Sequence, residues 1–132
     1  MSKIATWADN LSIFDDVMDQ YAYLVDLAKQ PTTLPESLRS DDRLVEGCIS
    51  QIWVDVGKVD NKTKIYYDSD AMITKGITSI VADCFSDIPV AEAKKITFED
   101  FEQLGIQQLL TPQRRNGLGN LIETIRKKVH ML

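Results

Sequence analysis

Reactive side chains are scarce in this chain. Its 132 residues hold two cysteines, Cys48 and Cys84, and one histidine, His130. Three such residues cannot assemble a four-ligand Cys/His zinc site. No C-x-x-C is present for a dithiol redox cycle. A Cys-His-Asn protease would have to use His130, close to the end of the sequence where chains fray. Neither G-x-G-x-x-G nor G-x-x-x-x-G-K-[ST] occurs, so no standard nucleotide loop is present. No apolar run reaches the about 18 residues that a membrane helix needs. The first ten residues, Met1 to Asn10, carry no apolar stretch of the kind a secretory signal uses. The expected address is therefore the cytosol, where thiols stay reduced.

Positive charge is also in short supply. Lys and Arg number 15 against 20 Asp and Glu, a formal net charge of −5. Such a surface repels phosphate backbones and anionic lipid, so neither nucleic acid nor membrane is an expected partner. A protein partner with a basic or neutral patch fits better.

What is present suits a globular domain. The chain is 44% hydrophobic and 27% charged, and 132 residues is close to the commonest domain size. One domain over residues 1–132 is expected, with residues 1–10 a loose lead-in. Ser12, with Asp15 three positions on, suits a helix N-cap. Phe14, Val17, Met18, Tyr21, Leu24, Val25 and Ala28 then follow helical spacing, and Pro31 ends the run. Residues 31–46 read as a long loop with one short helical turn. Ile52, Val54 and Val56 alternate with Trp53 and Asp55 as in a strand. Gly57, Asp60 and Asn61 supply a turn, and Thr63 to Tyr67 is β-branched and aromatic, the returning strand. A third strand is expected near Leu44-Val45.

Asp68 or Ser69 can cap the next helix, with Asp70 in its first turn. Ile73, Ile77, Ile80, Val81 and Cys84 share one face of that helix. Gly76 within it suggests a close approach, because glycine there otherwise costs about 1 kcal/mol against alanine. Thr97 with Asp100 suits a capping pair for a short helix bearing Phe98, Phe101 and Leu104 and ended by Gly105. Thr111-Pro112 reads as N-cap and first helical position. Leu118, Leu121, Ile122, Ile125 and Val129 form the inner stripe of a last helix, with Arg126, Lys127 and Lys128 near its end. The order is α+β, a small antiparallel sheet of about three strands packed against helices.

Few residues are candidates for chemistry. Cys48 follows Gly47 where the long polar loop enters a strand. It is either a partly exposed thiol or a small hydrophobe filling space. Cys84 lies on the helix stripe and reads as core. Arg114 and Arg115 sit at a helix start, where the dipole disfavours cations. They are either solvated or kept to serve an anion or thiolate. Asp68 and Asp70 resemble a carboxylate pair, but helix capping explains them at least as well, so a metal or acid–base use is weakly supported. Asp15, Asp16, Asp19 and Asp26 read as a solvated helix face.

Three segments resemble one known family. Val45-Glu46-Gly47-Cys48-Ile49-Ser50-Gln51-Ile52-Trp53-Val54 resembles the G-C-x-S-x-[VI]-W segment of the SufE/CsdE sulfur-acceptor proteins. Asp68-Ser69-Asp70-Ala71 through Gly76 resembles their D-S-D-A-x-I-x-x-G stretch. Leu110 to Leu118 resembles their L-[ST]-P-x-R-x-N-G-L stretch. Order and separation agree from about residue 12 to 130.

The resemblance implies a fold similar to U-type iron–sulfur scaffold proteins. It also implies a sulfur carrier with no cofactor of its own. The implied partner is a PLP-dependent cysteine desulfurase, SufS/CsdA-like, which it stimulates and from which it accepts persulfide sulfur. The sulfur then passes to an iron–sulfur assembly scaffold. The implied acceptor is Cys48, with Glu46, Gly47, Ser50, Gln51, Asp70 and Arg114 at its loop or at the partner contact. A carrier needs an accessible thiol with no resolving cysteine beside it, and Cys48 has no C-x-x-C neighbour. A thiol covered by apolar groups is inert, so Cys48 is expected to rest shielded and to swing out on docking. Two departures stand out: Ile49 where the family often carries Gln, and Arg115 as a second cation. A U-type scaffold holding a nascent cluster is the alternative, disfavoured by ligand count. A lone cysteine enzyme would need a base near Cys48, and no histidine is well placed.

Overall fold

A two-stranded antiparallel hairpin organises the chain. The computed structural model describes residues 3–30, 34–47, 50–106 and 110–132. Strand β1 (Ile52–Val59) pairs with β2 (Lys62–Ser69), from Ile52 opposite Ser69 to Val59 opposite Lys62. Asp60 and Asn61 close it with φ of 52° and 63°, the left-handed pair that a tight two-residue turn requires. The turn is thus shorter than the Gly57–Lys62 segment expected, and Gly57 lies within β1. The anticipated third strand is reduced to a single bridge between Leu44 and Trp53, with Val45 N donating to Ile52 O at 2.8 Å.

The hairpin's two faces are covered differently. Ile52, Val54, Ile65 and Tyr67 are buried on the face that meets the helices. On the other face Trp53 and Asp68 are paired across the strands and are also buried. The segment around Arg39 and Leu44 covers them. Three consecutive buried residues at the start of β1 follow from this double cover. Two 3-10 turns, Glu36–Leu38 and Asp41–Arg43, shape that segment, where one helical turn was expected.

Helix α1 (Lys3–Ser12) replaces the loose lead-in expected over residues 1–10. Ile4 and Leu11 are buried, Trp7 Nε1 donates to Asp83 Oδ2 at 2.9 Å, and Lys3 Nζ donates to Ser86 O at 2.7 Å. Ser12 therefore ends a helix and caps none; its hydroxyl donates to Asp9 O at 2.7 Å. Helix α2 (Val17–Ala28) is capped by Asp16, whose carboxylate accepts from Met18 N at 2.8 Å. Helix α3 (Met72–Phe85) buries Ile77, Ile80, Val81 and Cys84, with Ile73 half-buried. Its N-cap is Ala71, because β2 runs on through Ser69 and takes Asp68 and Ser69 into the sheet. A Cβ on Gly76 would lie 2.2 Å from Leu24 O, so glycine lets α2 and α3 cross this closely.

A short α4 (Val90–Ala93) follows Pro89. The 3-10 stretch Phe98–Leu104 begins with Thr97 N donating to Asp100 Oδ2 at 2.8 Å and ends at Gly105 with φ 70°. Helix α5 (Pro112–His130) starts from Thr111, whose hydroxyl accepts from Arg114 N at 3.3 Å. Its Leu118, Leu121, Ile122, Ile125 and Val129 are all buried, as the stripe predicts.

Candidate functional site

The open end of the hairpin gathers most of the candidate residues. Cys48 and Ile49 lie outside the described residues, and so does any test of the shielded-thiol expectation. The residues on either side are placed. Glu46 and Gly47 are exposed. Gly47 adopts φ 79°, a conformation that glycine takes without steric penalty. Its carbonyl accepts from Asn120 Nδ2 of α5 at 3.2 Å.

On the far side of the gap, Gln51 is bound to the start of α3. Gln51 N donates to Asp70 Oδ1 at 3.0 Å, and Asp70 N donates back to Gln51 O at 3.2 Å. The Ser69 hydroxyl donates to the same carbonyl at 2.8 Å. Asp70 thus anchors the loop end. Asp68 has a different role. Its side chain is 1% exposed and pairs with Arg39 and, at 3.4 Å, with Lys75. The Arg39 guanidinium also stands 5.4 Å from the centre of the Trp53 ring. The two carboxylates are therefore separate anchors and do not form the acid–base pair left open by the sequence.

Beside the loop end lies a cleft of about 310 Å³. Ser50 and Ile52 form one wall, Thr74, Ile77 and Thr78 of α3 another, and Thr111, Gln113, Arg114, Gly117, Leu118 and Leu121 the third. Arg114 and Ser50 thus share one apolar-walled space, although 64 positions (114 − 50) separate them in sequence. An arginine lining such a cleft suits an anion or thiolate, since the first turn of α5 adds its own positive end. Arg115 turns elsewhere, donating from Nε to Leu110 O at 3.2 Å.

Cys84 is core. It is 2% exposed, and burial, helped by the Asp83 carboxylate, pushes its thiol up to about 12. Almost none of it is thiolate near neutrality, so it is a poor nucleophile and a poor metal ligand.

The sequence did not single out Asn120, Ser69, Arg39 or Lys75 for this site. Only Asp68 left a readable trace. Strand alternation puts it on Trp53's face, and the charged run Arg39 to Arg43 supplies a partner. Nothing in the order of residues on α5 distinguishes Asn120 from a solvated asparagine.

Comparison with known proteins decides the family. Residues 5–129 match the model of the SufE Fe-S metabolism associated domain. The chain belongs to the SufE family. It is 32% identical to an uncharacterized SufE-like protein of Rhizobium etli, over 97% of this chain and 90% of that protein. It is 28% identical to the cysteine desulfuration protein SufE of Wigglesworthia glossinidia brevipalpis, over 98% and 92%. It is 34% identical to SufE-like protein 1, chloroplastic/mitochondrial, of Arabidopsis thaliana, over 89% of this chain but only 33% of that longer protein. The fold is shared with the solution structure of a hypothetical protein from Thermus thermophilus, at TM-score 0.82 and 14% identity over 99% of this chain and 97% of that one. Family membership ties the chain to iron–sulfur metabolism, and the α+β fold is the one shared with the Thermus thermophilus protein.

Proposed function

We propose that this SufE-family protein accepts persulfide sulfur on Cys48 from a cysteine desulfurase and hands it on for iron–sulfur cluster assembly. The observation that carries this reading is the state of the other cysteine. The chain has two thiols, and Cys84 is buried with its thiol pushed up to about 12. Sulfur transfer requires a thiolate, so the state of Cys84 supports Cys48, the residue the motif resemblance points to, as the acceptor.

The step is a thiol exchange without net oxidation. The Cys48 thiolate attacks the terminal sulfur of the desulfurase persulfide. The sulfur–sulfur bond in the desulfurase breaks, and its cysteine leaves as thiolate. A new sulfur–sulfur bond forms on Cys48. PLP belongs to the desulfurase, which releases the sulfur from L-cysteine. Arg114, on the cleft lined by Ser50, supplies positive charge to the thiolate or to the transferred sulfur. Glu46, Gly47, Gln51 and Asp70 shape the loop the desulfurase meets, and docking stimulates that enzyme. The reduced thiols of the cytosol suit this relay.

Incubation with a desulfurase, PLP and L-cysteine, followed by intact-mass analysis, tests the reading. The expected result is a gain of one sulfur atom, removed by reductant, absent in Cys48→Ser and retained in Cys84→Ala. No gain on the wild-type protein, or an undiminished gain in Cys48→Ser, overturns it.

A further inference from the structure

The chain's excess negative charge is gathered in one place. Residues 4–28, which span nearly all of α1, the following turn and α2, hold five aspartates and neither Lys nor Arg. The other 15 of the 20 acidic residues are matched by the chain's 15 Lys and Arg, so this corner carries the whole excess. Asp9, Asp15, Asp16 and Asp19 are exposed and flank the turn. Among them stand three exposed apolar side chains, Ile13 at 73%, Met18 at 69% and Val17 at 50%. The turn that presents them is held by local contacts. Phe14 N donates to Leu11 O at 3.3 Å, Gln20 Nε2 donates to Phe14 O at 3.1 Å, and the Phe14 ring centre lies 5.0 Å from that of Tyr23. Phe14 is thus drawn onto α2, while Ile13, Val17 and Met18 are left to solvent. No residue of α1 or α2 is among the described residues lining the cleft beside Ser50.

We propose that this α1–α2 corner is a docking surface for the desulfurase, met by a patch on that enzyme in which Lys or Arg frame an apolar hollow. This rests on the sulfur-transfer reading above. Apolar side chains held in water by an ordered turn gain free energy when a partner covers them, and methionine adapts to the partner's shape. The surrounding aspartates select that partner by charge. They repel a second copy of the same corner, a phosphate backbone and anionic lipid. They attract a basic protein surface over a Debye length, about 10 Å at 0.1 M salt. The cleft carries the opposite sign, since Arg114 lines it. Two surfaces of opposite charge orient the enzyme: the corner finds and holds it, and the open end of the hairpin receives the sulfur.

The test is the dissociation constant of the purified desulfurase, by titration calorimetry, for wild type and two double variants. One is Ile13→Ser with Met18→Ser, the other Asp15→Lys with Asp19→Lys. All four positions are exposed, and Asp16, which caps α2, is kept, so both variants should fold, with circular dichroism as the check. Each is expected to weaken binding about tenfold or more, the scale of losing an interface anchor. In high salt the charge-reversed variant should converge on the wild-type value, and the serine variant should not. Sulfur gain at saturating desulfurase should equal that of wild type in both. Wild-type affinity in either variant, or a gain that stays low at saturation, would overturn the proposal. So would a dimer of this chain alone that the same substitutions dissolve, which would assign the corner to a second copy. The acceptor reading fails separately. Weakened binding by the variants with no sulfur gain on the wild type sinks that reading and leaves the docking surface. Unweakened binding with a normal gain does the reverse.

Discussion

The two ends of the β1–β2 hairpin are built by different means. At the turn, Asp60 and Asn61 close the strands within two residues by adopting left-handed backbone. At the open end, Gly47, Gln51 and Asp68 are held by Asn120, Ser69, Asp70, Arg39 and Lys75, which come from separate parts of the chain. Local chemistry is enough to reverse a chain. Fixing the described ends of the loop, Gly47 and Gln51, takes donors and acceptors placed by tertiary structure. The difference teaches where stability and function meet: the turn end serves the fold, and the open end serves both.

The largest effect should come from Asp68. Asp68→Ala leaves Arg39 and Lys75 facing each other without the carboxylate between them and removes an acceptor for Ser69 N at 2.8 Å. Breaking a buried pair costs about 3–5 kcal/mol. The Arg39 side chain is 34% exposed, so water screens part of that loss. A drop of about 2–3 kcal/mol in urea unfolding is expected. It should come with faster amide exchange at Val45, whose N–H bridges to Ile52. A drop below about 0.5 kcal/mol, the scale of surface substitutions, would mean that the open end is not secured by this cluster.

Gly47→Ala comes next. It forces a left-handed φ on a residue with a Cβ, at about 1–2 kcal/mol, and drives that Cβ into Asn120. The expected stability loss is about 1 kcal/mol, with a larger proportional loss of sulfur acceptance in the desulfurase assay. Equal stability and equal acceptance would show that the conformation at position 47 is unimportant. At the other end of the hairpin, Asn61→Gly should change stability by less than about 0.5 kcal/mol, since both residues suit the tight turn. A large loss there would erase the distinction between the ends.

Much of this fold could be read from residue order. The stripe from Leu118 to Val129, the Thr111-Pro112 start, the Thr97 to Asp100 pair and the close approach at Gly76 all rest on local spacing or on one residue's special property. The departures share a cause, which is competition between neighbouring residues for one structural role. Ser12 and Asp16 both have cap chemistry, and Asp16 caps α2 while Ser12 closes α1, whose Ile4, Trp7, Ala8 and Leu11 follow helical spacing without an acidic first turn. Asp68 and Ser69 have cap chemistry too, yet sheet pairing with Ile52 and Trp53 claimed them. Of the candidate site, motif resemblance pointed to the Gly47–Gln51 segment, Asp70 and Arg114. Asn120 was invisible because its role exists only once α5 is folded against the hairpin.

The smallest effect belongs to the ion pair beside the turn, between Lys64 and Asp87, whose side chains are 37% and 57% exposed. The hydrogen bond from Lys64 holds the Asp87 carboxyl below its usual range, and the same contact raises the Lys64 ammonium above its own. The signs follow from which form the folded state favours. Asp87 contributes above its unfolded value of 3.8, and that contribution is lost as pH falls through its lower folded value. Lys64 contributes below its unfolded value of 10.5, and that contribution is lost as pH rises through its higher folded value. Urea midpoints of wild type and Lys64→Met, compared from neutral pH into acid at low and high salt, should differ slightly at neutral pH and low salt. The gap should close in acid and in high salt, because exposed charges are screened. A gap that survives high salt would mean that the turn end, like the open end, depends on charges sheltered from water, and the contrast between the two ends would then fail on its electrostatic side.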